Sequence, residues 1–255
     1  MALLKLLLLL LGLGVAVNSD SVSLQKRIIG GHDCLDNERQ YHVVITGRKG
    51  NDWYFCGGSL ISDQWILTAA HCWESEPGWT IKAHLGVHPK NAPKETQTIT
   101  KHEIYRDTFG HHDIMLLKLA KKTTITPIKL TDCPTSLPVG TKLQIAGFGP
   151  AETGPYNERI DHEPSALQCA DIEIVDPQRI KDVYGIFYKW YQYWNCAKSS
   201  TKDTSRGDSG GGWVYKNKLY GVHSFTGDPD YACSEPAGFM EVCGYWDWIK
   251  KTIKT

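Results

Sequence analysis

Gly207-Asp208-Ser209-Gly210-Gly211 sets a serine and an aspartate between glycines, a composition suited to a tight turn. Upstream, Leu67-Thr68-Ala69-Ala70-His71-Cys72 brings a histidine after small residues at a strand end. Between the two, His112-Asp113-Ile114-Met115-Leu116-Leu117 opens an apolar strand on an aspartate. A serine hydroxyl is a poor nucleophile until a base takes its proton, and an imidazole titrates in the range where it can do so near neutral pH. Around these segments, Tyr41–Thr46, Gly58–Ile61, Trp65–Thr68, Ile114–Leu119, Lys142–Ala146, Ala170–Val175 and Leu219–Phe225 recur as short runs of Val, Ile, Leu and aromatics between turn residues. That pattern predicts an all-β sandwich or barrel. Only Trp246, Ile249 and Ile253 keep convincing helical spacing, which predicts a C-terminal amphipathic helix over Gly244–Lys254.

Composition limits the function classes. The 255 residues carry 28 basic and 28 acidic side chains, a balance that argues against a nucleic-acid binder. The N-terminus carries Lys5 and then an apolar run from Leu6 to Val17, too short to span a bilayer, with small residues at Ala16 and Ser19. It is expected to be a secretory signal peptide over residues 1–19, so the protein is expected to be secreted and extracellular, without a membrane span. In that compartment the eight cysteines are expected to form disulfides. A polar segment, residues 20–27, ends Gln25-Lys26-Arg27 before Ile28-Ile29-Gly30-Gly31, and an exposed basic pair is a good protease target. Cleavage after Arg27 leaves 228 residues with 25 basic and 27 acidic side chains, so the shortened chain is mildly acidic.

Taken together, the three segments in His, Asp, Ser order, with Arg27-Ile28-Ile29-Gly30-Gly31 ahead of them, resemble the trypsin/chymotrypsin family of secreted serine proteases. The resemblance covers nearly all of the chain from Arg27 onward. It implies an all-β fold of two six-stranded antiparallel β-barrels, about residues 28–135 and 136–255, packed face to face with a C-terminal α-helix. It implies His71 as general base, Asp113 as the residue that orients it and Ser209 as nucleophile, with the N–H groups of Gly207 and Ser209 as the oxyanion hole. It also implies that the Ile28 ammonium released by cleavage pairs with Asp208. The expected activity is a zymogen of a serine endopeptidase, cutting after Lys or Arg because Asp203 stands six residues before Ser209. Polypeptide substrates, an activating protease and protein protease inhibitors are the expected partners; no cofactor is expected, and the protein should be a monomer.

By the same resemblance Cys56 should pair with Cys72, Cys34 with Cys169 and Cys133 with Cys243. Cys196 and Cys233 lack their usual partners and are expected to pair with each other beside the substrate pocket, with two free thiols as the alternative. The pocket departs too. Ser224-Phe225-Thr226 stands where the family reads Ser-Trp-Gly, and Ala237 stands at a second glycine position. Thr226 and Ala237 add volume where glycines keep the slot open, so a narrowed pocket with non-basic specificity, or a protease-shaped binding protein with little turnover, stand as alternatives. Val87 replaces a calcium-ligating carboxylate, and His111 and His112 have no spaced metal partner; they are expected to be loop histidines, and no metal site is expected. Gly149–Pro164, with its Gly, Pro and charges, reads as a long exposed loop. Tyr184–Trp194 holds seven aromatics in eleven residues, of which Tyr184, Phe187, Tyr188 and Tyr191 follow helical spacing, which favours a packed face over an exposed ligand surface.

Overall fold

The computed structural model describes residues 28–92, 94–133, 136–185 and 189–254. The leader and the segment ending at Arg27 lie outside these residues, as do Phe187 and Tyr188. Strand β1 (His32–Asp33) leads into the strands of the first sheet, β2 (His42–Lys49), β3 (Asp52–Leu60), β4 (Trp65–Thr68), β5 (Thr80–Leu85), β6 (Glu95–Thr98), β7 (Lys101–Arg106) and β8 (His111–Lys118). The second half contains β9 (Lys129–Leu130), β10 (Lys142–Gly147), β11 (Glu152–Thr153), β12 (Arg159–Ile160) and β13 (Gln168–Ile174). It continues with helix α1 (Gln178–Tyr184), β14 (Trp194–Lys198), β15 (Gly212–Tyr215), β16 (Lys218–Phe225), β17 (Ala237–Glu241) and helix α2 (Trp246–Thr252).

The second half closes as a six-stranded antiparallel barrel, β13-β10-β15-β16-β17-β14, with β14 paired back onto β13. The first half is a seven-stranded sheet in the order β6-β5-β2-β3-β4-β8-β7. Two closed barrels were expected, and this half differs. Its edges, β6 on β5 and β7 on β8, are consecutive in the chain and joined at Ile99-Thr100, so one bent segment serves both edges without a ladder between them. Alternation drives the burial: in β5, Ile81, Ala83 and Leu85 face the core while Thr80 and Lys82 face solvent. Each half has its own apolar cluster, and Val214, Leu219, Val222, Met240 and Tyr245 of the second half join the cluster of the first, which fixes the halves to each other.

Three disulfides form as expected, Cys34–Cys169, Cys56–Cys72 and Cys133–Cys243. The pair expected between Cys196 and Cys233 does not form; both are thiols. Cys196 lies on β14 with Sγ turned to the carbonyls of Asp176 and Val175, at 3.5 and 3.9 Å. Burial pushes its thiol up to about 12 and that of Cys233 to about 11, so neither is a ready thiolate. The C-terminal helix is shorter than its spacing suggests, because Val242–Tyr245 winds as a tighter 3-10 turn before α2 begins. The aromatic stretch is not a helix from its start: α1 ends at Tyr184, where Gly185 takes a left-handed φ of 50°.

Candidate active site

His71 sits in the 3-10 turn Ala70–Cys72 just past the end of β4. β4 pairs antiparallel with β8, Thr68 opposite Met115, so the residues after Thr68 meet those before Met115 at one sheet end. That register brings Asp113 to His71. Asp113 Oδ2 lies 2.9 Å and Oδ1 3.1 Å from His71 Nδ1, and Oδ1 also accepts the His71 backbone N–H at 2.9 Å. Two anchors on one carboxylate fix the turn as well as the ring. The Asp113 side chain keeps only 16% of its surface, whereas the imidazole keeps 45% and remains open to a substrate. Loss of solvent pulls the His71 pKa down, but the hydrogen bond and charge of Asp113 outweigh it and leave the imidazole above its ordinary value. Asp113 is held below the ordinary carboxylate range: its burial is overcome by His71 and by a hydrogen bond from Ser224.

Ser209 comes from the second half, on the turn before β15. Its carbonyl accepts the Gly57 N–H of β3 at 2.7 Å, so the turn is hydrogen-bonded to the first sheet. Gly210 is required there: it holds φ of 79°, and a Cβ would fall 2.1 Å from Thr68 Oγ1 and 2.4 Å from the Gly57 carbonyl. Cys72 Sγ lies 3.8 Å from the same Ser209 carbonyl, so the Cys56–Cys72 bridge backs both the His71 and the Ser209 turns. Within the turn, the N–H groups of Asp208, Gly210 and Gly211 are spent on the carbonyls of Ser205, His223 and Asp208. Among the described residues no backbone carbonyl accepts from Gly207 or Ser209, the two donors expected to face an oxyanion. Gly207 holds φ of 92° with Phe55 where its Cβ would be, 2.3 Å away.

Asp208 is buried. Oδ1 accepts the Gly149 N–H and Oδ2 the Ser205 N–H, each at 2.8 Å. Burial nevertheless raises its pKa to about 7, because no cation of the described residues pairs with it. Ile28 is fully buried in the cluster that contains Leu143, Ile145 and Trp213. Its own φ is +34°, an unfavourable backbone for a β-branched residue.

The remaining expected site residues separate. Ser224 donates to Asp113 rather than standing only on the pocket wall. Phe225 packs against Tyr184 and Trp194, with centroids at 4.8 and 5.4 Å, and lines a cleft of about 430 Å³ that also includes His71 and Asp113. Ala237 is buried opposite Ala197 in the β14–β17 ladder. Asp203 is buried and already paired: Arg159 Nη2 lies 2.6 Å from its Oδ2. Thr226 Oγ1 shares a hydrogen bond with Thr204 Oγ1 at 2.9 Å. His112 is no loop histidine; it is buried in β8 with Nδ1 on Tyr245 Oη and Nε2 on Asp107 Oδ2, both at 2.9 Å. Two residues escaped the sequence reading. Gln192 accepts the Asp113 backbone N–H at 3.0 Å, and Arg159 lies in the segment expected to be a plain exposed loop. The groups Cys56, His71, Cys72 and Cys34, Glu38, Cys169 cluster closely, but their cysteines are disulfide-bonded and offer no thiolate to a metal.

The His71–Asp113 pair lies in the first half, and the Ser209 turn of the second half is hydrogen-bonded to β3 and backed by Cys72, the neighbour of His71. The Trypsin family model matches residues 28–249. Human kallikrein-8 is 32% identical over 98% of this chain and 95% of its own, and rat cationic trypsin-3 is 30% identical over 98% of each. A solved structure of neuropsin, described as a serine protease expressed in the limbic system of mouse brain, superposes with a TM-score of 0.72 at 28% identity. It covers 88% of this chain and 98% of that one. The chain belongs to the trypsin family of serine proteases. No helix of the described residues is long and apolar enough to cross a membrane.

Proposed function

We propose that the protein is a secreted serine endopeptidase, made as a precursor with a leader over residues 1–19 and an activation segment over 20–27. The observation that carries the reading is the doubly anchored His71–Asp113 pair beside the Ser209 turn, which is itself bonded to β3. Ser209 Oγ attacks the carbonyl carbon of the substrate while His71 Nε2 takes its proton. The carbonyl oxygen, now negative, receives the free N–H groups of Gly207 and Ser209. His71 then returns the proton to the amine as the C–N bond breaks, leaving an acyl group on Ser209. Water repeats the sequence and releases the acid. Asp113 keeps the Nδ1 proton in place and stabilises the imidazolium. After cleavage at Arg27, a fluorophosphonate reagent is expected to label Ser209 stoichiometrically, read by peptide mass. A folded, cleaved and unlabelled chain would instead support the binding-protein reading.

The activation step rests on Asp208 and Ile28. While residue 27 is attached, Ile28 carries an unfavourable φ; an N-terminal residue has no such torsion to strain, so cutting relieves it. The freed ammonium supplies the cation that Asp208 lacks. The sign of the linkage is testable. In the intact chain the folded pKa of Asp208 is about 7, above its unfolded value of 3.8, so the folded state holds this proton more tightly. That contribution is fully present below the unfolded value and is lost as pH rises through 7. Roughly three units at about 1.4 kcal/mol each make the loss about 4 kcal/mol. Urea unfolding of the intact chain at pH 5 and pH 8 should show the part of it that falls between pH 5 and 7, roughly 3 kcal/mol, and the chain cleaved after Arg27 should not, because an adjacent ammonium favours the carboxylate. Equal pH dependence in both forms would exclude the ion pair.

A further inference from the structure

The Gly149–Pro164 segment is built, not loose. β11 and β12 form a hairpin with Glu152 opposite Ile160 and Thr153 opposite Arg159. At its tip the Tyr156 N–H is capped by the Glu158 carboxylate at 2.8 Å. The hairpin is then stitched to the Gly227–Ala232 loop. Glu158 bridges Tyr231, the Arg159 N–H reaches the Asp230 carbonyl at 2.9 Å, and the Ala232 N–H reaches the Asn157 carbonyl at 2.8 Å. That loop is folded on itself by Asp228, whose Oδ1 accepts the N–H groups of Asp230 and Tyr231. The two segments thus hold each other, and together they aim one side chain inward.

That side chain is Arg159, and all three of its nitrogens are engaged. Nη2 pairs with Asp203 at 2.6 Å, Nη1 donates to the Thr204 carbonyl at 2.7 Å and to Ser205 Oγ at 3.3 Å, and Nε donates to the Asp228 carbonyl at 3.0 Å. Asp203 is equally committed: Oδ1 takes the Thr204 N–H and Oδ2 the Cys233 N–H, both at 2.8 Å. The Thr204–Thr226 hydroxyl bridge ties the Asp203 segment to the end of β16. A substrate Lys or Arg arriving here would meet a carboxylate already neutralised and a guanidinium of its own sign.

We propose that Arg159 is a specificity-determining residue, a built-in occupant of the Asp203 pocket that excludes basic side chains and leaves a shallow, uncharged site for small residues such as Ala or Ser before the cut bond. The proposal rests on the endopeptidase reading for its substrate, but its occupancy test does not need turnover. Benzamidine, an arylamidine cation, is the probe, titrated by calorimetry into the chain cleaved after Arg27. The wild type and Thr226→Gly, which removes the hydroxyl bridge but keeps Arg159, should not bind it at millimolar concentration. Arg159→Ala combined with Thr226→Gly should bind about 100-fold more tightly, the scale of a charged hydrogen-bonding site regained. Tight binding by the wild type or by Thr226→Gly alone overturns the proposal, as does a folded double variant that gains nothing. If the double variant does not fold, wild-type hydrolysis of peptides differing only in Ala or Arg before the cut decides the matter, with Ala expected to be faster by about 100-fold and Arg faster overturning the idea. Fluorophosphonate labelling of the wild type runs in parallel: its failure removes the endopeptidase reading and leaves the benzamidine result to judge Arg159.

Discussion

Replacing Ser209 by alanine is expected to lower kcat/KM of the cleaved protein by about 10⁶-fold. The loss should fall on kcat, since the hydroxyl forms its bond only as the reaction proceeds. Folding should be little affected, because the parts of Ser209 that hold the two halves together are backbone: its carbonyl on the Gly57 N–H is kept by alanine. Stability within about 0.5 kcal/mol of wild type is the expected control. His71→Ala should cost about as much, and the double variant scarcely more than either, because a nucleophile without its base and a base without its nucleophile fail in the same step. Additive losses in the double variant would mean that the two side chains act independently, and the shared proton transfer would have to be abandoned. A residual rate above that of water is also expected, as Gly207 and Ser209 keep their N–H groups in all three variants.

Some of this was legible in the chain because it is local or periodic. Trp65–Thr68 emerges as β4 with the bounds expected from its run of apolar residues, and all but the last residue of Ile114–Leu119 as the body of β8. Once those two strands are adjacent, the meeting of His71 and Asp113 follows from antiparallel register. What escaped was non-local or short. Arg159 reaches Asp203 across 44 positions from a strand of two residues, too short for any hydrophobic period to announce it. Gly, Pro and charges around it mark a turn-rich segment, but they do not tell a hairpin stitched to a neighbour from a free loop. Helix α1, only seven residues long, was hidden by the aromatic spacing that follows it. The expected Cys196–Cys233 pair failed for a different reason: sequence gives a parity of cysteines, and pairing needs Cα separations that only the fold supplies. Ser224 was read as pocket wall because its neighbours are, whereas its hydroxyl turns to Asp113.

The second large effect is expected from Asp113→Asn, about a 10⁴-fold loss in kcat with the fold retained. The size follows from how the carboxylate is used. One oxygen takes the His71 backbone N–H at 2.9 Å, and the other takes Ser224 Oγ together with His71 Nδ1. An amide has one acceptor oxygen for these donors and turns an N–H₂ group toward the rest. If that group faces Nδ1, the imidazole must accept there and carry its proton on Nε2, the nitrogen that has to take the proton of Ser209. The pH profile separates this from a merely loosened site. In the wild type Asp113 holds His71 above its ordinary value, so the neutral, active imidazole is lost as pH falls through a pKa above 6.5. With the charge gone, loss of solvent alone acts on the ring and moves the acid limb below 6.5. The variant's remaining activity should therefore persist to lower pH, and the gap from wild type should narrow as the solution is acidified. An acid limb that stays where it was, with kcat down, would mean that Asp113 only braces the turn through the His71 N–H and does not set the charge of the ring.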